Sequence, residues 1–345
     1  MQKLARYGVT IGRFQPVHYG HLSIIERALE QVDELIIVIG SASSARTIRN
    51  PWTADERIDM IKSVLRTEDR DRVKFVKAND RLYNDNLWLV SVQSKIADVT
   101  DGSDDIVLFG HQKDDTSFYL KLFPQWKFIA VPYVKGIDAT KVREMYFKCD
   151  LLDMQRYVPL NVYETLKSNM MASAVTLNET FKELKDEFEH IASYRDMWNG
   201  APFPPTFVTV DAVVVRSGHV LMVRRKGMPG RGLIALPGGF INQRETLLTS
   251  CLRELREETS IKVTREELEA ALVDKKEFDH PDRSLRGRTI THAYCFSLGH
   301  GPLPRVKGGD DAGKAWWMPL NDVMANEDRF FEDHFHIISH FVNKF

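Results

Sequence analysis

At 345 residues the chain is long enough for two domains, each able to bury its own core. Its 43% apolar and 28% charged content, with 47 basic against 48 acidic residues, excludes wholesale disorder and gives no general attraction to nucleic acid or an anionic membrane. Any anionic substrate is therefore expected to be held by local groups. Cys149, Cys251 and Cys295 lack the spacing of a zinc or redox motif and read as reduced thiols of a cytoplasmic protein. No run of 18 consecutive apolar residues occurs, so neither export nor membrane insertion is expected.

From Gly8 to about Val131, short apolar runs (VTIG, ELIIVIG, VKFV, DIVLFG, KFIAV) alternate with amphipathic ones (HLSIIERALEQV, TADERIDMIKSVL, LWLVSVQSKIADV). This alternation predicts βαβ units and a doubly wound, Rossmann-like parallel sheet, with ligands beyond the carboxyl ends of the strands. Helices are expected over Ala139–Phe147 and roughly Asn161–Ser168. Between Leu177 and Trp198, the residues Phe181, Leu184, Phe188, Ile191 and Trp198 recur at helical steps. They predict a connecting helix whose apolar stripe packs on a core or makes a homo-oligomer contact. GAPFPP at 200–205 is the strongest punctuation in the chain. After it, FVTVDAVVV, HVLMVRR, ITHAYCFSL and KAWWMPL read as strands around one strong helix, an α+β arrangement. The expected division is a domain over 1–170, a connecting helix and linker over 171–204, and a second domain over 205–345.

GRFQPVHYGHL lies between the first strand and the first helix. Glycines there let the backbone approach a phosphate, and the helix start offers unpaired N–H groups and a partial positive charge. Histidines at this place can donate to phosphate oxygens; no third ligand at a familiar spacing favours a metal, and a satisfied turn is the alternative. Gly12, Phe14, Pro16, His18, Gly20 and His21 together resemble the GxFxPxHxGH motif of the nucleotidylyltransferase superfamily. RTIRNPWTADER is similar to the IRxPFTAxER segment of archaeal-type nicotinamide mononucleotide adenylyltransferases at Pro51, Thr53, Ala54, Glu56 and Arg57, with Trp52 in place of Phe. IDATKVR stands where that group carries SGTxxR; Thr140 and Arg143 match and Asp138 replaces the serine.

This resemblance implies adenylyl transfer from ATP to nicotinamide mononucleotide, giving NAD and pyrophosphate. The attacking phosphate is already anionic, so positioning and charge stabilisation, helped by Mg²⁺ or Mn²⁺, are expected to supply the rate. His18, His21 and Arg143 are the expected catalytic groups, and Gly12, Arg13, Phe14, Arg49 and Thr140 join them around the phosphates, with the first helix start at the transferring group. Asn84, Asn86 and Trp88 resemble the segment that recognises the mononucleotide, where an indole could stack on a pyridinium ring; a core Trp at a helix start is the alternative. His111, after Gly110, is a candidate nucleotide contact. Arg57 belongs to the site or pairs with Glu56 or Asp55.

GFINQRETLLTSCLRELREETSI, from Gly239, fits the Nudix box G-x5-E-x7-R-E-U-x-E-E-x-G-U at Gly239, Glu245, Arg253, Glu254, Leu255, Glu257, Glu258 and Ile261, with Ser260 replacing the second glycine. On a helix, Glu254, Glu257 and Glu258 fall within an arc of about 100°. Clustered carboxylates suit a hard cation such as Mg²⁺ or Mn²⁺; a solvated acidic face is the alternative. The resemblance assigns Gly239, Glu254, Glu257 and Glu258 to the metal and Glu245 with Arg253 to a structural ion pair. It implies hydrolysis of a nucleoside diphosphate derivative, with water attacking phosphorus. DRSLRGRTITHAY resembles the DPRGRxI-type run of ADP-ribose pyrophosphatases, which makes Arg283 and Arg286 candidate ADP-ribose contacts. LPGGF fits the same subgroup although Ile234 stands where many members have Trp, and Asp310 with Asp311 resembles their acidic run.

The order of the two motif sets resembles the bifunctional nicotinamide mononucleotide adenylyltransferase/Nudix hydrolases. That family implies ATP, nicotinamide mononucleotide, NAD and ADP-ribose as small-molecule partners, with ADP-ribose cut to AMP and ribose 5-phosphate. Three alternatives stay open: transfer to another phosphate such as phosphopantetheine or FMN, a Nudix domain acting on another nucleoside diphosphate derivative, or a Nudix domain that only senses ADP-ribose.

Overall fold

The computed structural model describes residues 3–111, 120–134, 136–175, 179–309 and 312–342. The chain divides into two compact units, Met1–Asp186 and Glu187–Phe345.

The first unit begins β1 (Ala5–Gly12), α1 (Tyr19–Gln31), β2 (Val32–Ile39), α2 (Ala54–Val64), β3 (Val73–Lys77), α3 (Asp85–Thr100), β4 (Ile106–Gly110) and β5 (Lys127–Ala130). The five strands form one sheet in the order β3-β2-β1-β4-β5, every neighbouring pair parallel. This is the doubly wound sheet that the alternating runs predict. Its order reverses between β1 and β4, so a crevice opens beyond Gly12 and Gly110, where ligands bind such sheets. Tyr7, Val9, Ile36, Val38, Val76, Ile106 and Leu108 pack with Val92 and Ile96 of α3 and with Phe123 and Trp126 into one core. α4 (Ala139–Phe147), α5 (Leu151–Met154) and α6 (Leu160–Val175) follow. α4 has the bounds expected from its periodicity, and α6 runs a turn and more beyond the expected end.

α7 (Glu179–Asp196) carries the apolar stripe, and the division between the units falls within it. Phe181 packs on Tyr146 and Phe147 in the first unit, with ring centroids 5.0 and 6.3 Å away, and Ile191 is buried in the second. Trp198 departs from the stripe: it lies beyond the helix, 42% exposed, edge-on to Phe207.

The second unit continues with β6 (Thr206–Arg216), β7 (His219–Arg225), β8 (Ile234–Ala235), β9 (Gly238–Phe240), α8 (Leu247–Thr259), α9 (Arg265–Ala270), β10 (Leu272–Phe278), β11 (Arg288–Ser297), β12 (Ala312–Pro319), α10 (Leu320–Ala325) and α11 (His334–Val342). Its mixed sheet has the order β10-β11-β6-β7-β12, with β8 on β7 and β9 on β6. Only β11 and β6 among these strand pairs run parallel. α8 lays Cys251, Leu252 and Leu255 on Val210, Ala212 and Val214 of β6, which leaves its Glu254, Glu257 and Glu258 on other faces. Thr246 caps α8 by accepting from Thr249 N–H, and Ser260 ends it in the left-handed region at φ 46°. A glycine meets no Cβ clash there, so Ser260→Gly is expected to stabilise this unit by about 1 kcal/mol, read as a raised Tm. Among the described residues no helix is long and apolar enough to cross a membrane.

Candidate functional sites

The loop after β1 is shaped by packing around Phe14. Phe14 takes a left-handed backbone at φ 52°, a costly conformation for an aromatic residue that persists only where the surroundings hold it. Its ring lies where a Cβ on Gly12 would come within 3.1 Å of it, and it leans on the His21 ring at 4.7 Å. A Cβ on Gly20 would come within 3.0 Å of the His18 ring. Both motif glycines thus leave room for neighbouring rings. His18 is the N-cap of α1, its Nδ1 accepting from His21 N–H at 3.3 Å, and the two imidazoles stack at 3.7 Å. His21 Nδ1 is closed off from solvent with no hydrogen-bond partner. Burial, then the neighbouring His18 and His111, hold the His21 pKa well below the usual imidazole range. His21 therefore stands as a neutral hydrogen-bonding group.

Arg143, buried on α4, donates from Nη1 to Gln15 O at 2.8 Å and from Nη2 to Thr140 Oγ1 at 3.1 Å. Its pKa falls to about 10, through burial first and then the proximity of Arg13 and Arg49. Three guanidiniums gathered at one crevice repel each other until an anion enters. Asp138 serves as the N-cap of α4, accepting from Lys141 N–H at 2.9 Å, the task a serine performs at that position.

Other residues of these motifs hold the framework of the crevice. Arg57 pairs with neither Glu56 nor Asp55. It is 1% exposed and donates to Thr53 O at 3.1 Å, Arg13 O at 2.7 Å, Gly40 O at 2.7 Å and Ser41 O at 3.1 Å. One guanidinium thereby ties together the chain leaving β1 and β2. Arg57→Leu would strand those carbonyls and is expected to destabilise the first unit by roughly 2–4 kcal/mol. The measure is a lowered urea midpoint that Arg57→Lys, lacking the planar fork, recovers little of. His111 is likewise occupied: Nδ1 lies 2.9 Å from Val131 O and Nε2 2.9 Å from Gly20 O, joining the ends of β4 and β5 to the first turn of α1. Asn84 caps α3 by accepting from Leu87 N–H at 3.1 Å, and Asn86 is exposed. Trp88 is half-buried, packed on the core and edge-on to Phe123 at 5.9 Å.

Gln15 carried no expected role, yet it is buried and clamps Trp52 through both its backbone N–H and C=O, at 3.2 and 2.8 Å. An amide between Phe14 and Pro16 in an otherwise apolar turn was the signal for it.

In the second unit, the Glu245–Arg253 pair is formed, with Nε 3.0 Å from Oε2. Arg253 is also the hub for the other acids: Nη1 donates to Glu254 Oε1 at 2.7 Å and to Glu257 Oε2 at 3.0 Å, and Nη2 to Phe240 O at 3.3 Å. Glu258 instead accepts from Gly238 N–H at 3.0 Å. Burial first, with the nearby Glu254 adding, raises its pKa to about 8 against the pull of that N–H. A Cβ on Gly239 would come within 2.8 Å of the Glu254 carboxylate, so the glycine leaves that carboxylate its place. Among the described residues no three His, Cys, Asp or Glu side chains already converge as a metal cage. Glu254 and Glu257 lie on Arg253 instead. The donor set nevertheless fits a hard divalent cation: oxygen ligands only, with a buried carboxylate whose charge a cation would offset.

Glu254 and Glu258 line a cavity of about 580 Å³. Its floor holds a buried network that the motifs do not announce. Arg283 gives Nε and Nη2 to Asp333 at 2.9 and 2.8 Å, Thr291 Oγ1 donates to Asp211 at 2.6 Å, and Leu236 N–H donates to His334 Nδ1 at 2.9 Å. Burial keeps the His334 pKa below the usual imidazole range, so Nδ1 stays an acceptor. Arg283 is therefore the buried cation of an ion pair, whereas Arg286 sits at the cavity wall with its guanidinium 5.3 Å from the Phe240 ring centre. Asp211, a lone acid within FVTVDAVVV, was the one legible sign of this network. Asp310 and Asp311 lie outside the described residues.

Comparison with known proteins places each unit in a family. The Cytidylyltransferase-like family model matches residues 9–145, and the NUDIX domain model matches residues 205–341. The nicotinamide/nicotinic acid mononucleotide adenylyltransferase of Acinetobacter baylyi is 40% identical over 148 residues, covering 43% of this chain and 78% of that protein. The nicotinamide-nucleotide adenylyltransferase of Sulfurisphaera tokodaii is 34% identical, covering 45% of this chain and 87% of its own. A crystal structure of a bifunctional NMN adenylyltransferase/ADP ribose pyrophosphatase from Francisella tularensis, complexed with AMP and a Mn ion, is 35% identical, with a TM-score of 0.91 over 99% of both chains. With a nucleotidylyltransferase crevice and a Nudix helix in that order, and a likeness that runs the length of both units, the chain belongs to the bifunctional nicotinamide mononucleotide adenylyltransferase/Nudix hydrolase family.

Proposed function

We propose that this chain makes NAD at the first site and cleaves ADP-ribose to AMP and ribose 5-phosphate at the second. The observation that carries the first half is the gathering of Arg13, Arg49 and Arg143 with His18 and His21 at the reversal point of the parallel sheet. Cations and neutral hydrogen-bonding groups beside one crevice suit two polyanions, ATP and a mononucleotide, brought together for in-line transfer. His18 and His21 would donate to the ATP phosphates, and Arg143 would neutralise charge that spreads in the transition state. Gln15 and Arg57 act through others: Gln15 O holds the Arg143 guanidinium, and Arg57 holds the backbone of Arg13.

For the second half, Glu254, Glu258 and the neighbouring Glu257 would hold Mg²⁺ or Mn²⁺. When bound, such an ion polarises phosphoryl oxygens and activates water at neutral pH. Gly238 N–H orients the Glu258 carboxylate, and Arg253, backed by Glu245, sets the starting positions of Glu254 and Glu257. Arg286 would meet the diphosphate or a ribose, with Arg283 holding the wall behind it through Asp333. AMP is one product of this cleavage, and AMP with Mn is what the Francisella tularensis structure holds.

The test of the transfer reaction is pyrophosphate release from ATP with nicotinamide mononucleotide, phosphopantetheine or FMN as acceptor. Release with the mononucleotide alone is expected; preference for another acceptor would contradict it. The second reaction is followed as AMP formed from ADP-ribose with Mg²⁺.

A further inference from the structure

The stretch that meets the carboxylates of the second site cannot hold its own shape. Residues 236–239 include two glycines, which have the most backbone freedom, and a proline, which has no N–H to donate. Their placement is therefore set from outside. Pro237 O accepts from Ala212 N–H at 2.9 Å, and a Cβ on Gly238 would come within 2.6 Å of Asp211 Oδ1. Two side chains accept from the N–H groups of this stretch: Glu258 from Gly238 at 3.0 Å, and His334 Nδ1 from Leu236 at 2.9 Å. We propose that His334, at the start of α11, is a positioning residue of the second site: it holds residues 236–239 in place and, through Gly238 N–H, sets the Glu258 carboxylate for a divalent cation. This rests on the reading that Glu258 is a ligand of that cation.

Leu236 is buried, so losing the imidazole would leave its N–H without an acceptor. The C-terminal segment also grips the same strand a second time: Phe331 N–H donates to Ile234 O at 2.8 Å, two residues before the bond from Leu236 to His334. Two bonds spaced along one strand fix its direction, where one would leave it free to pivot. The imidazole is itself braced. Neighbouring Asp333 is fully buried and accepts from Arg283 Nε and Nη2 at 2.9 and 2.8 Å, while its backbone O accepts from Ile337 N–H at 3.0 Å. His334 Nε2 lies 4.0 Å from Asp211 Oδ1, the atom that closes the space beside Gly238. A chain of contacts thus runs from the α11 start through the glycine stretch to Glu258, between residues 98 apart in sequence at the His334 end. Hydrogen-bond partners standing behind metal ligands set ligand orientation, and their loss costs about 10- to 100-fold in metal affinity or activity.

The test is equilibrium binding of Mn²⁺ by the full chain, read from the electron paramagnetic resonance signal of the free ion, with the second site defined as the binding that Glu258→Gln removes. His334→Asn keeps an acceptor near the place of Nδ1, whereas His334→Gln carries its amide further out and His334→Phe has no acceptor. His334→Phe and His334→Gln are expected to weaken Mn²⁺ binding at the second site by about tenfold or more, and to raise the Mg²⁺ needed for half-maximal ADP-ribose hydrolysis by the same factor. KM for ADP-ribose at saturating Mg²⁺ should hold, and His334→Asn should keep most of the parent's Mn²⁺ affinity. Should His334→Phe fail to fold, as read from its Tm, the comparison of His334→Gln with His334→Asn decides. Parent-like Mn²⁺ affinity in His334→Gln and in a folded His334→Phe would overturn the proposal, and so would a His334→Asn variant as weak as His334→Gln. A Glu258→Gln variant that binds Mn²⁺ like the parent overturns the ligand reading itself, and the proposal falls with it.

Discussion

His21→Ala is expected to lower NAD formation from ATP and nicotinamide mononucleotide by about 10²- to 10³-fold, the scale of one donor removed from a preorganised anion site. His21 is the better choice of the two motif histidines. His18 caps α1 through Nδ1, so its loss mixes a weakened helix start with loss of the proposed phosphate contact. His21 caps nothing, and its Nδ1 has no partner in the protein. Because its pKa lies well below the usual range, it is already uncharged at neutral pH. The loss should therefore fall on kcat from pH 7 to 8, and ADP-ribose hydrolysis by the same variant should equal that of the parent.

Glu258→Gln is expected to abolish AMP formation from ADP-ribose, by on the order of 10³-fold or more, with NAD formation unchanged. The substitution preserves shape and still offers an oxygen to Gly238 N–H at the position where Glu258 accepts it. What it removes is the negative charge that a divalent ion needs. Stability should hold or rise, since the carboxylate is held partly buried beside Glu254, where its charge is costly. A large loss of activity without a loss of Tm separates a ligand from a structural residue.

The parallel sheet was legible because β-branched runs such as ELIIVIG can be buried on both faces only in such a sheet, and the amphipathic segments between them leave one connectivity. The Nudix helix was legible because three glutamates share an arc while Cys251, Leu252 and Leu255 fill the other side. What the sequence did not reveal are contacts made across long separations. Arg57 binds carbonyls up to 44 residues away, and Arg283 meets Asp333 50 residues on; no local pattern marks such partners. Trp88 shows the opposite limit. An indole at a helix start satisfies a stacking role and a packing role equally in sequence, and its half-buried, edge-on contact with Phe123 is compatible with both. The split of α7 between the two units is a third such case: its stripe reads as continuous, yet the buried Phe181 and Ile191 fall in different units.

The most direct measurement takes the full chain, His21→Ala and Glu258→Gln, and follows both reactions in Mg²⁺: NAD from ATP and nicotinamide mononucleotide, and AMP from ADP-ribose. The parent is expected to perform both, with one variant losing only NAD formation and the other only AMP formation. A parent that binds ADP-ribose and leaves it intact, with Glu258→Gln binding it equally well, would contradict a second catalytic site and make this Nudix unit a sensor.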